Sequence, residues 1–176
     1  CDAACDGGCE SCVSTWDSRT VTIDGDYDGA DDFDALGHRI GTGAAGVYYL
    51  VTWDADYLYV AWEGPIHTLH KVYLALDADK SPATDSGVGD AFGGVTFPGD
   101  RKPEYAIAFT EPDGIWLASE SGGAWSTQDV CPVFGCWWHF AGNLANESWE
   151  LRIPRTSIPL VDPDEGFAAW AWVNNN

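Results

Sequence analysis

The chain contains no Met, even at position 1, and only 8 Lys and Arg against 28 Asp and Glu in 176 residues. The missing Met is read as the mark of a processed or trimmed chain whose signal peptide has gone. The shortage of cations excludes phosphate-backbone binding, because counterion release needs clustered Lys and Arg, and nucleic acid is not an expected partner at a net charge of −20. Long apolar runs are missing too. The longest fall far short of the ~20 residues that cross a bilayer, so no membrane span is expected. Neither G-x-S-x-G, H-E-x-x-H nor a phosphate loop occurs, and without such a motif no enzyme is expected. No stretch carries the 3.6-residue period of a three-turn amphipathic helix.

What is present is β-sheet chemistry. The stretch Val47–Gly64, VYYLVTWDADYLYVAWEG, is two aromatic and β-branched runs around Asp54-Ala55-Asp56, which predicts a hairpin. A loop over 54–57 sets Trp53 against Leu58, Val51 against Val60 and Tyr49 against Trp62. One face then collects Val47, Tyr49, Val51, Trp53, Leu58, Val60 and Trp62 as core. The other carries Tyr48, Leu50, Thr52, Tyr57, Tyr59 and Ala61, to lie under a second layer or face a ligand; a one-residue slip would exchange the two faces, and the sequence alone allows it. Further apolar runs with period two follow at Lys71–Leu76, Gly94–Phe97, Glu104–Thr110, Ile115–Ser119, around Cys136–Ala141, Ser148–Ile153 and Phe167–Val173, separated by turn clusters such as Ser121-Gly122-Gly123. Short strands with regular turns must bury one face against a second sheet. The expected fold is an all-β antiparallel sandwich, immunoglobulin-like or jelly-roll, of some nine strands over residues 20–176, after a short Cys-rich tail at 1–19.

Six Cys suit an oxidising, extracellular or cell-surface setting. Cys1, Cys5, Cys9 and Cys12 crowd among small and acidic residues that cannot build a core, and disulfides are expected there over zinc, since only Cys9 and Cys12 have C-x-x-C spacing. Cys131 and Cys136 close a four-residue loop directly before Trp137 and Trp138. Adjacent strand residues point to opposite sides, so one of these two rings is left for a loop or a ligand. Rings already held in place lose little entropy when a sugar docks on them. Trp116 and Trp125, which bracket a Gly-rich turn, are the next candidates. Two acidic loops have the alternating oxygens that calcium takes six to eight at a time: Asp24, Asp26, Asp28 and Asp32 before the hairpin, and Asp77, Asp79, Ser81 and Asp85 directly after a strand.

The ordered motifs TIDG and DDFDA (22–25, 31–35), TWDADYLYVAWEG (52–64), VYLALDADKS (72–81), EYAIAFT (104–110) and ELRIPRTSI (150–158) resemble the family 9 carbohydrate-binding modules and the wider DOMON-like sandwiches. The resemblance implies a secreted β-sandwich, often appended to glycoside hydrolases, that binds sugars and commonly holds calcium. Related DOMON domains bind haem, often through Met, which this chain lacks. The expected function is a non-catalytic, calcium-stabilised, extracellular module that stacks exposed Trp on a glycan or polysaccharide. The alternative is a structural subunit of an extracellular fibre that self-associates through disulfides or strand donation.

Overall fold

Short strands, most of them buried along nearly their whole length, divide the described residues between two facing sheets. The structure is a computed structural model and describes residues 11–12, 20–23, 39–42, 48–64, 70–78, 87–89, 92, 94–97, 102–110, 114–130, 139–143, 148–159, 161–162 and 167–175. The strands are β1 (Ser11–Cys12), β2 (Arg39–Gly41), β3 (Tyr48–Trp53), β4 (Tyr57–Glu63), β5 (His70–Asp77), β6 (Tyr105–Thr110), β7 (Gly114–Ser121), β8 (Ala124–Asp129), β9 (His139–Asn143), β10 (Ser148–Pro154) and β11 (Ala168–Asn175). They form a six-stranded sheet in the order β1-β11-β5-β6-β7-β8 and a five-stranded sheet in the order β2-β3-β4-β10-β9. Every described pairing is antiparallel. The fold is an antiparallel β-sandwich.

The β3–β4 hairpin pairs Trp53 with Leu58, Val51 with Val60 and Tyr49 with Trp62, and β4 lies at the centre of the five-stranded sheet. Its turn is built by Asp54, whose Oδ1 accepts the backbone N–H groups of Asp56 and Tyr57 at 2.9 and 2.8 Å. An Asp side chain that satisfies its own turn in this way replaces bonds a longer loop would have to find elsewhere. The inward residues of both sheets, among them Tyr49, Val51, Trp53, Leu58, Val60, Trp62, Val72, Leu74, Leu76, Ile107, Phe109, Leu151 and Ile153, make one continuous core. Aromatic rings join the two sheets within it. Trp62 of one sheet meets Phe109 of the other at 4.6 Å between ring centres, and Trp149 lies 5.2 Å from Phe109. Rings at these separations and tilts add attraction beyond the area they bury.

Both outer faces are covered in part. On the five-stranded sheet Val21 and Ile23 pack on Leu50, Tyr59 and Ala61, so this side of the hairpin lies under a second layer, while Tyr48 stays 36% exposed. On the six-stranded sheet Ala75, Ala106 and Ala118 lie beneath Phe97, with Phe92 and Val95 packed beside them.

Two elements differ from the sequence expectation. Gly94–Phe97 is not a sheet strand; the segment is a cross-strap in which Phe92 and Val95 exchange backbone bonds of 2.8 and 3.0 Å, because its apolar residues cover a sheet face instead of joining a ladder. Conversely β8 was not foreshadowed by any apolar run. It is an edge strand exposed at Ala124, Ser126, Thr127 and Gln128, and a strand that buries so little needs no apolar alternation. It is directed by its turn, where Gly122 and Gly123 have φ of 63° and 83°, the two successive positive values that a two-residue hairpin of this twist requires.

Candidate ligand-binding face

Among the described residues, the outer face of the six-stranded sheet collects most of the aromatic side chains that the core does not use. Its residues lie in straight rows across the strands. One row runs Trp170, Ala75, Ala106, Ala118, Thr127, and the next runs Trp172, Tyr73, Ala108, Trp116, Asp129. Three successive Ala make the first row a shallow floor, and the strap lies over it. Phe97 touches Trp125, Trp170 and Trp172 at 6.3, 6.2 and 5.8 Å between ring centres, and Phe92 touches Trp125 at 5.2 Å and Tyr73 at 5.8 Å.

The strap is pinned by backbone. Val88 N–H donates to the Pro103 carbonyl at 3.2 Å, and Phe97 N–H donates to the Gly89 carbonyl at 3.2 Å. Gly87 is obligatory at this seam, since a Cβ there would lie 1.9 Å from the Lys102 carbonyl oxygen and 2.5 Å from its carbon. Backbone approaches this close are open to glycine alone.

The second row lies beside the strap. Trp172 stacks on Tyr73 with a 5.2 Å centroid separation and 9° between planes, and burial raises the Tyr73 hydroxyl above its ordinary pKa. Trp116 is on the far side of Ala108 from this stack. It is half-buried, belongs to none of the three apolar clusters, and makes no aromatic ring contact among the described residues. With strands about 4.8 Å apart, the Tyr73 and Trp116 backbones stand roughly 10 Å from each other across the Ala108 methyl. An indole left at the side of such a step offers an apolar flat surface, with Asp129 as its neighbour on β8.

Of the four Trp expected to bind, Trp116 and Trp125 therefore share one face but not one environment: Trp125 is wedged against the two Phe of the strap, whereas Trp116 is not. Trp137 and Trp138 lie outside the described residues, as do Cys131 and Cys136. Tyr73 and Trp172 were assigned by sequence only to strands. The usable signal was Ala168-Ala169-Trp170-Ala171-Trp172, in which both Trp fall on one side of the strand and small residues on the other.

At one end of this face two carboxylates are buried. Asp77, the last residue of β5, is 1% exposed, and Glu104, directly before β6, is 2% exposed. Glu104 Oε2 accepts the Ala78 N–H at 2.6 Å. Since Val88 is tied to Pro103, the two ends of segment 78–88 are both held at residues 103–104. Of the second acidic loop only Asp77 is described; Asp79, Ser81 and Asp85 lie outside the described residues, and so do Asp24, Asp26, Asp28 and Asp32 of the first. Among the described residues no group of three or more His, Cys, Asp or Glu converges as a metal site. Cys1, Cys5 and Cys9 are likewise outside, while Cys12 is in β1, paired with Ala168 of β11. No described helix is long and apolar enough to cross a membrane.

No family model, curated protein or solved structure matches this chain.

Proposed function

We propose that this sandwich is a non-catalytic carbohydrate-binding module, acting outside the cell, whose sugar-stacking surface is the outer face of the six-stranded sheet. The observation that carries the reading is Trp116, a half-buried indole on β7, a strand paired on both sides, that belongs to none of the apolar clusters. A pyranose presents its C–H face to such a ring and its hydroxyls to the side. Asp129 is placed to accept from those hydroxyls, and the Tyr73–Trp172 stack beyond Ala108 would limit the tilt of the bound ring. Because Trp116 stands on a strand paired on both sides, little conformational freedom remains to be lost on binding. Trp137 and Trp138, beside a Cys131–Cys136 disulfide, are proposed as further sugar-stacking residues on their sequence position alone.

Calcium is proposed as the stabilising ion of the loop that follows β5, with Asp77, Asp79, Ser81 and Asp85 as its ligands. The buried pair of carboxylates at Asp77 and Glu104 supports it. Hard oxygen donors fit this ion, and Asp77 stands at the end of a paired strand directly before the loop. The proposal for Asp24, Asp26, Asp28 and Asp32 rests on their spacing alone.

The test is titration with a panel of mono- and polysaccharides, calcium present, read by Trp fluorescence and calorimetry. Saturable binding that Trp116→Ala weakens at least about tenfold, or 1.4 kcal/mol, is expected. Silence toward the whole panel would remove the carbohydrate reading, and a melting temperature indifferent to a chelator would remove calcium.

A further inference from the structure

β8 ends the six-stranded sheet, and no described strand pairs with its outer side. The edge is long for this molecule. Of the four sheet edges β8 is the longest, with six residues against two in β1, three in β2 and five in β9. Ala124, Ser126, Thr127 and Gln128 are all exposed, and among the described residues the strap reaches the strand at Trp125, through Phe92 and Phe97. Sheet edges are commonly guarded by Lys, Pro, a bulge or a covering loop. β8 has neither Lys nor Pro, and its ladder with β7 runs without a bulge from Ser121↔Ala124 to Trp116↔Asp129.

The ladder also decides which backbone groups look outward. Val130 N–H donates to the Ile115 carbonyl at 2.9 Å. In an antiparallel pair these groups alternate, so Ala124, Ser126 and Gln128 face β7, while Trp125, Thr127 and Asp129 turn their N–H and C=O toward the edge. Thr127 is the midpoint of that outward set.

We infer that β8 pairs antiparallel with β8 of a second copy of this chain, about a two-fold axis that passes through Thr127 perpendicular to the sheet. This register is self-complementary. Thr127 exchanges both bonds with Thr127 of the second copy, a favourable cross-strand pair. Trp125 stands opposite the second copy's Asp129, and Ser126 opposite its Gln128. The only charged residue of the strand therefore meets an aromatic ring and not another carboxylate. That matters for a chain of net charge −20, in which most other acidic segments would repel their own copies. An axis perpendicular to the sheet also leaves the outer faces of both copies on one side, so that two Trp116 surfaces point the same way. Binding to a polymer would then gain by avidity. The pairing itself does not depend on the identity of the ligand.

Sedimentation of the whole chain from micromolar to millimolar concentration tests the pairing without any sugar, so failure here is separable from failure of the carbohydrate reading. A reversible dimer is expected, with the Thr127 amide more protected from exchange as concentration rises. Thr127→Pro deletes an outward N–H and no bond to β7, and Thr127→Lys opposes two like charges on the axis. Each should raise the dimer dissociation constant by more than about tenfold, while Thr127→Val leaves it near the parent value. If Thr127→Pro fails to fold, Thr127→Lys still decides. A monomer throughout the range overturns the inference, as does a dimer that both Thr127→Pro and Thr127→Lys leave intact.

Discussion

The Tyr59 hydroxyl donates to Asp54 Oδ2 at 2.5 Å, across the same turn whose backbone Asp54 Oδ1 already holds. Thr20 adds a second hydroxyl to Oδ2 at 3.0 Å. One carboxylate thus ties the hairpin turn to strand β4 and to the segment that covers it. The opposing turn is fastened to the same place, since Arg155 N–H donates to the Asp56 carbonyl at 2.9 Å, at the start of a short 3-10 helix over Arg155–Ser157.

This carboxylate gives stability a pH dependence. Partial burial pulls the Asp54 carboxyl upward, but the bonds accepted from Tyr59, Asp56, Tyr57 and Thr20 outweigh it and hold the group below its ordinary range. A lowered folded-state pKa contributes stability above the unfolded value of about 4 that is lost as pH falls through the folded value. Tyr59 works at the opposite end. Burial, and then its bond to Asp54, raises its hydroxyl, so its contribution is complete below about pH 10 and fades above it. Tyr59→Phe should cost about 1 kcal/mol at neutral pH. Urea midpoints from pH 2 to 7 should fall less steeply for Asp54→Asn than for the parent chain, and parallel curves would refute the assignment.

Trp116 and Trp125 should respond differently to truncation. Trp125→Ala removes the ring on which Phe92 and Phe97 rest, and a loss of about 2–3 kcal/mol is expected, somewhat below a full core truncation. Trp116→Ala should change stability by less than about 1 kcal/mol yet abolish most ligand response. Paired thermal melts and titrations check this; equal destabilisation by both would mean that Trp116 is packing, not platform.

Gly87→Ala should be more damaging than either hairpin glycine. The new methyl group would meet the Lys102 backbone, which has no flexible end to move aside, and the strap would have to lift. Overpacking of this kind costs about 1–3 kcal/mol or more. Gly122→Ala has open space around its Cβ but a φ of +63°, so only the left-handed conformation is penalised, by about 1–2 kcal/mol. Denaturation with near-ultraviolet circular dichroism should also show the aromatic signal reduced for Gly87→Ala and retained for Gly122→Ala.

The sandwich itself was readable from Val47–Gly64 and the later apolar runs, because alternation of period two states which side of a strand is buried. A loop over 54–57 placed Tyr49, Val51, Trp53, Leu58, Val60 and Trp62 in the core, but a slip of one residue would have exchanged the two faces, and the observed pairing of Trp53 with Leu58 decides between them. Trp116 was singled out as an aromatic beside a turn, but its difference from Trp125 was not legible. That difference arises from Phe92 and Phe97, which reach the sheet from a strap whose apolar residues look, in the sequence, like one more strand.

The sequence alone determined the class of the fold and the central hairpin, because local turn chemistry and side-chain alternation act between near neighbours, whereas a one-residue slip of the hairpin register was excluded only by the observed pairing of β3 with β4. Only the tertiary structure decided which aromatic face the strap covers, that Asp77 and Glu104 share one buried end, and that the polar strand β8 ends the six-stranded sheet among the described residues. These depend on segments far apart in the chain competing for the same surface, and no local pattern records the outcome of that competition.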